Sequence, residues 1–182
     1  MEREALIKIA SQLNENKVRW GIGASVLLHL YGIVKEPDDI DIIVEEEDAH
    51  KAHEIFLKLG EYNQLPYKAP FRTKHFLNYK VGNTMVDLMG DFKIETEDGI
   101  YSMIFDSAAI VGEEDYHGVI IPKTALEDWF VLYQLIPGRE PKVKMIEDYL
   151  VKEGIKHRNL LERAMEQPLS EKVVNRIKSI LK

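Results

Sequence analysis

Residues 38 to 44 read Asp-Asp-Ile-Asp-Ile-Ile-Val, and the alternation of acid and isoleucine from Asp39 to Ile42 has the period of a β-strand. At that period Asp39 and Asp41 leave one face while Ile40 and Ile42 enter the other. Asp87 repeats the pattern in Met-Val-Asp-Leu-Met, so a third carboxylate leaves a sheet surface from between core-forming neighbours. Three carboxylates gathered on one face repel one another unless a cation lies between them, and oxygen-only ligands suit magnesium. That is the donor set of a two-metal phosphoryl-transfer site. A turn or a solvated sheet edge is the plainer reading of Asp39 and Asp41 taken by themselves.

The segment before these acids sharpens the choice. Val18 to Ile22 reads as a short strand that runs into Gly23-Ala24-Ser25 and then into the apolar helical run Val26 to Tyr31. A strand-to-helix junction built of small residues lets an anion approach free backbone N–H groups at the positive end of a helix. Small residues also occur wherever a helix packs closely on a strand, so the turn carries weight only beside the acids.

Around this centre the chain reads as α+β. Residues 2 to 16 form an amphipathic helix, Gly32 closes the helix after the turn, and Pro37 prevents its return. A helix spans 48 to 59, with Asp48 as N-cap and Gly60 as its stop, and a loop with Pro66 and Pro70 follows. Phe76 to Val81 and Thr84 to Met89 make a hairpin across Gly82-Asn83. Strand-like fragments recur at Ser102 to Phe105 and Val119 to Ile121, after which Pro122 and Thr124 open a helical third. Helices are expected at about 124–136, 141–153, 155–166 and 170–181. The expected organisation is a core of residues 1–121, with a mixed or antiparallel sheet, and a helical region of residues 122–182 packed on or beside it.

Composition narrows the partners. A chain of 182 residues with a net charge of -7 repels phosphate polymers as a whole, so duplex DNA is a poor partner. The absence of cysteine excludes disulfides and thiolate chemistry and leaves carboxylates and imidazoles as ligands. The N-terminal residues lack the apolar stretch of a signal peptide, and runs such as Val26 to Leu28 are far too short to cross a bilayer, so a cytoplasmic protein is expected, with no membrane partner.

Order and spacing resemble those of the minimal nucleotidyltransferases, which share a fold with DNA polymerase beta and include antibiotic-modifying enzymes and antitoxin-type proteins. The resemblance lies in Gly23-Ala24-Ser25, Leu30-Tyr31-Gly32, Lys35, Asp39-Ile40-Asp41 and Asp87-Leu88-Met89-Gly90-Asp91. It continues through Pro122 and Gly138-Arg139 to Lys142, spanning about residues 15 to 153. It implies a nucleotidyltransferase-type mixed sheet flanked by helices. It also implies Mg2+ or Mn2+ held by Asp39, Asp41 and Asp87, and a nucleoside triphosphate such as ATP at Gly23, Ala24, Ser25, Lys35, Arg139 and Lys142. The acceptor is a hydroxyl on a small molecule, a protein side chain or an RNA end, with Asp87 nearest to it. Ala24 in place of glycine, Glu36-Pro37 in place of threonines and Gln134 where relatives often carry lysine depart from the pattern. The alternative these departures leave open is a catalytically degenerate binding protein of the same fold, for example a toxin–antitoxin component.

Other candidates read more simply as structure. His50 and His53, three apart on one helix with Glu54 beside them, suit a solvated face better than a metal ion. His29 reads as a packed residue, His75 and His117 lack a partner in sequence, and Glu45 to Asp48 supply acidic charge to a helix N-terminus. Trp129, Phe130 and Tyr133 read as core, and Lys144 joins Arg139 and Lys142 in a basic cluster that suits a phosphate or a solvated helix end equally.

Overall fold

The structure is a computed structural model, which describes residues 3–66 and 68–182. The amphipathic N-terminal segment forms α1 (Arg3–Glu15), burying Ala5, Leu6, Ile9, Ala10 and Leu13 as its spacing predicts; Glu2, where the sequence reading begins this helix, lies outside the described residues. There follow β1 (Trp20–Gly23), α2 (Ala24–Leu30), β2 (Ile40–Val44), a 3-10 turn at Glu46–Asp48 and α3 (Ala49–Leu59). Next come β3 (Glu61–Asn63), the hairpin β4 (His75–Val81) and β5 (Thr84–Gly90), a second hairpin of β6 (Lys93–Thr96) and β7 (Gly99–Ser102), and the pair β8 (Ile110–Tyr116) and β9 (Val119–Thr124). Four helices complete the chain: α4 (Leu126–Leu135), α5 (Glu140–Glu153), α6 (Arg158–Ala164) and α7 (Glu171–Ile180).

Seven strands form one mixed sheet in the order β3-β4-β5-β2-β1-β9-β8, and β6 and β7 pair separately. Within it β2 lies parallel to β5 and β1 parallel to β9, while the remaining neighbours are antiparallel. Helix α4 is the hub of the helical side. Every residue from Leu126 to Tyr133 is buried, and the helix meets α2, α5, α6, α7 and β6. A helix buried on all sides has no polar face to show, and Glu127 joins the interior by accepting the N–H groups of Lys156 at 3.2 Å and His157 at 3.0 Å.

Several local expectations are corrected. Pro122 lies inside β9, opposite Glu113, and the helix it was expected to open begins only at Leu126. Ser102 ends β7, so the fragment from Ser102 to Phe105 is not a strand in its own right. Asp48 precedes α3 without capping it; its Oδ2 accepts the backbone N–H of Arg19 at 2.6 Å, tying the end of the 3-10 turn to the start of β1. Gly60 does end α3, in an extended conformation, and a side chain there would stand 2.2 Å from the Lys80 carbonyl oxygen. Close approach of β4, rather than a left-handed turn, requires glycine at that position.

Candidate active site

The site is a row of residues laid across the sheet. Parallel pairing sets Asp41 opposite Asp87, and antiparallel pairing on either side sets Gly23 opposite Asp41 and Asn78 opposite Asp87. Asn63 of the edge strand stands opposite Asn78, so one rank of polar side chains crosses four strands and stops at Gly23. Opposed residues in a sheet share a face. Asp39, two residues before Asp41, joins that face, and carboxylate oxygens of Asp39, Asp41 and Asp87 lie within 4.8 Å of one another.

The strand-to-helix turn supports the acids from behind. Ser25 Oγ lies 3.0 Å from the Asp39 carbonyl oxygen and 3.4 Å from its Oδ1, and it accepts the Asp38 N–H at 3.2 Å. The hydroxyl therefore holds the chain that leads into β2. Gly23 has no room for a side chain, because a Cβ would stand 2.1 Å from the Trp129 ring. Ala24 takes a φ of 44°, in the left-handed region, and faces the cavity beside the acids.

That cavity encloses about 80 Å³. Its polar side is made by the three aspartates with Arg139 and Lys142, and its apolar side by Phe71, Phe76, Phe92, Trp129 and Tyr133. Lys142 Nζ stands 3.4 Å from Asp38 Oδ2 and 5.7 Å from the centre of the Tyr133 ring. Burial, then the neighbouring charges of Asp39 and Asp87, push the Asp41 carboxyl well above the usual carboxylate range, with Lys142 and Arg139 acting the other way. Burial also raises Asp87, against the Asn78 side chain, which donates to Asp87 Oδ1 at 2.6 Å and lowers it. The Tyr133 hydroxyl is buried without a hydrogen-bond partner among the described residues, and burial followed by the Asp41 charge raises it. Three hard oxygen donors, with the ionised forms of Asp41 and Asp87 disfavoured by burial and by neighbouring carboxylate charge, fit a divalent cation, which relieves that penalty.

No protein-family model matches the chain, and no curated protein matches it in sequence. Solved structures do match. A putative nucleotidyltransferase from Thermotoga maritima superposes with a TM-score of 0.61 at 26% identity, over 82% of this chain and 92% of that one. The fold is that of the minimal nucleotidyltransferases. Two further nucleotidyltransferase-fold structures agree. A crystal structure of ANT(2")-Ia in complex with adenylyl-2"-tobramycin has a TM-score of 0.58 at 14% identity, covering 98% of this chain and 96% of that one. The lincosamide antibiotic adenylyltransferase LnuA, with lincomycin bound, has a TM-score of 0.55 at 16% identity, covering 81% and 97%.

On this nucleotidyltransferase fold the residues singled out from the sequence divide. Asp39, Asp41, Asp87, Ala24, Arg139 and Lys142 line one cavity. Lys35 is exposed and does not line it. Gln134 turns elsewhere: its Nε2 donates to the Phe130 carbonyl at 3.0 Å, and the residue borders a separate cavity with Thr96, Glu97 and Asp98. Its neighbour Tyr133 is the one that reaches the acids' cavity. His50 and His53 have different partners. His50 packs edge-on against His75, with ring centres 5.2 Å apart, and His53 Nδ1 lies 2.6 Å from the Tyr79 hydroxyl. Sequence reading missed Asn63 and Asn78 and the aromatic wall. The asparagines' only signal was their facing positions on neighbouring strands, and β3 was not foreseen.

Proposed function

We propose that this chain is a metal-dependent nucleotidyltransferase that moves a nucleoside monophosphate from a nucleoside triphosphate, ATP first among the candidates, to an acceptor hydroxyl. The observation that carries the reading is the convergence of Asp39, Asp41 and Asp87 within 4.8 Å, with Arg139 and Lys142 lining the same cavity. Asp39, Asp41 and Asp87 would hold Mg2+ or Mn2+. Such ions activate the attacking oxygen and neutralise the charge of the leaving pyrophosphate.

The protein's own groups then divide the work. At about 80 Å³ the cavity is well below the several hundred Å³ of a site that encloses a whole ligand, so it admits phosphates and leaves the nucleoside at its mouth. Arg139 and Lys142 pair with phosphate oxygens, Lys142 exchanging its contact with Asp38 for the stronger charge. The backbone of Gly23, Ala24 and Ser25 faces the phosphates at the start of α2, and the exposed Lys35 serves the outer end of the triphosphate. Asp87 takes the acceptor's proton as its oxygen bonds to the alpha phosphorus and the bond to pyrophosphate breaks. The ligands of the antibiotic-related neighbours make a small hydroxylated molecule the first acceptor to test, ahead of a protein side chain.

Thermal unfolding with and without ATP and Mg2+ tests the reading. A ligand present at one hundred times its Kd stabilises the native state by about 2.7 kcal/mol, so the melting temperature of the parent rises. Asp41→Asn loses that rise while keeping or exceeding the parent's own stability, because a mutually repelling carboxylate is gone. An unliganded variant that unfolds makes Asp41 a structural acid; a parent with no rise favours the degenerate binding protein.

A further inference from the structure

Asn78 and Asn63 do nothing in the scheme above, yet they stand in rank with its acids. Asn63 Nδ2 donates to Asn78 Oδ1 at 2.9 Å, and Asn78 Nδ2 donates to Asp87 Oδ1 at 2.6 Å. Asn78 is 7% exposed, so its contact with Asp87 is shielded from solvent, while Asn63 at the sheet edge is half-buried. An amide has its donor and acceptor on opposite ends, and the wrong flip would set the Asn78 oxygen against a carboxylate. The Asp87 carboxylate selects the Asn78 amide N–H, and Asn63 supports that orientation by donating to the Asn78 oxygen left behind.

We infer that Asn63 and Asn78 form an amide relay that positions Asp87, holding one of its carboxylate oxygens so that the other is presented to the metal shared with Asp39 and Asp41. The register carries the inference as much as the distances do. Asn63 faces Asn78, Asn78 faces Asp87 and Asp87 faces Asp41, so the sheet's own spacing brings each donor to its acceptor. A carboxylate fixed at one oxygen loses little rotational freedom when the other takes a cation, and that saving appears as affinity. Asn78 and Asn63 are thus positioning residues, acting on the reaction through Asp87.

The relay rests on the metal-binding reading, and one titration separates the two. Mn2+ is added to the full chain in a calorimeter, for the parent, Asn78→Ala, Asn63→Ala and the double variant, with the melting temperature of each metal-free protein taken alongside. The expected result is a loss of Mn2+ affinity of roughly 10–100-fold for Asn78→Ala, in the range of outer-sphere ligand partners. Asn63→Ala shows a smaller loss, and the double variant is no worse than Asn78→Ala alone, because Asn63 acts only through Asn78. Parent-like binding by Asn78→Ala overturns the relay while leaving the metal site standing, and so does a double variant whose losses simply add. A parent that binds no Mn2+ removes the metal site and the relay with it. If the buried Asn78 variant does not fold, the half-buried edge position decides: unchanged affinity in Asn63→Ala overturns the relay and weakened affinity with an unchanged metal-free melting temperature sustains it.

Discussion

Asp128 is buried in the first turn of α4, one of its carboxylate oxygens has no hydrogen-bond partner among the described residues, and burial pushes its carboxyl up to about 7 despite Arg163. Its ordinary value in an unfolded chain is 3.8. Between those values the folded protein binds more protons than the unfolded one, so stability falls as pH rises from about 4 to about 7 and stays low above. Asp41 and Asp87, also raised, act in the same direction. Urea unfolding at pH 5 and pH 8 checks this: Asp128→Asn should gain stability over the parent at pH 8 and much less at pH 5. An equal gain at both would mean that a contact, not a proton, was changed. At this scale the convergence of Asp39, Asp41 and Asp87 was legible from their strand period taken together with the turn before them, since Asp39 and Asp41 alone read as a solvated edge. Asp128 and Tyr133 were not, since a polar residue in a helical apolar run gives no sign of whether it faces a partner, a cavity or nothing. Arg139 and Lys142 were legible as a cluster and line one cavity, while Lys35, read from order alone, is exposed outside that lining.

The junction of β1 and α2 shows how two adjacent small residues can be small for opposite reasons. Gly23 is small because the Trp129 ring occupies the space of its side chain, whereas Ala24 bears a side chain in a backbone conformation that prefers none. Gly23→Ala should therefore destabilise by about 1–3 kcal/mol through overpacking. Ala24→Gly should stabilise by about 1 kcal/mol by relieving left-handed strain, net of the added chain entropy. Chemical denaturation of the two variants gives shifts of opposite sign if the assignment holds; a stable Gly23→Ala or a weakened Ala24→Gly would break it. Elements with strong periodicity, such as α1, β2, α3 and the β4–β5 hairpin, could be placed from sequence because one face of each is buried. The short β3, and β8 at the other edge of the sheet, could not: β3 is mostly exposed, and the half-buried β8 has no apolar alternation through Gly112, Glu113, Glu114 and Asp115. Pro122 misled because proline commonly opens helices, whereas here it lies within β9, between β1 and β8 and opposite Glu113.

At the level of the molecule, a continuous apolar core joins α1 at one end of the chain to α7 at the other, through the sheet and α4. We expect the segments read from sequence as 1–121 and 122–182 to unfold together. The chain has two tryptophans, Trp20 in β1 and Trp129 in α4, so single-tryptophan variants report on each segment separately. Coincident fluorescence transitions in urea are the expected outcome, and two midpoints would show two units. Asp41 and Asp87 become neighbours only through the parallel pairing of β2 with β5, with α3, β3 and β4 lying between them in sequence. No hairpin can bring two parallel strands together early, and the loop entropy must be met before the contacts repay it. The helices and the β4–β5 hairpin can therefore form before the carboxylates of Asp41 and Asp87 meet. We expect the three carboxylates to converge late in folding, so that a nascent chain would gain the proposed metal site only after most of its secondary structure is in place.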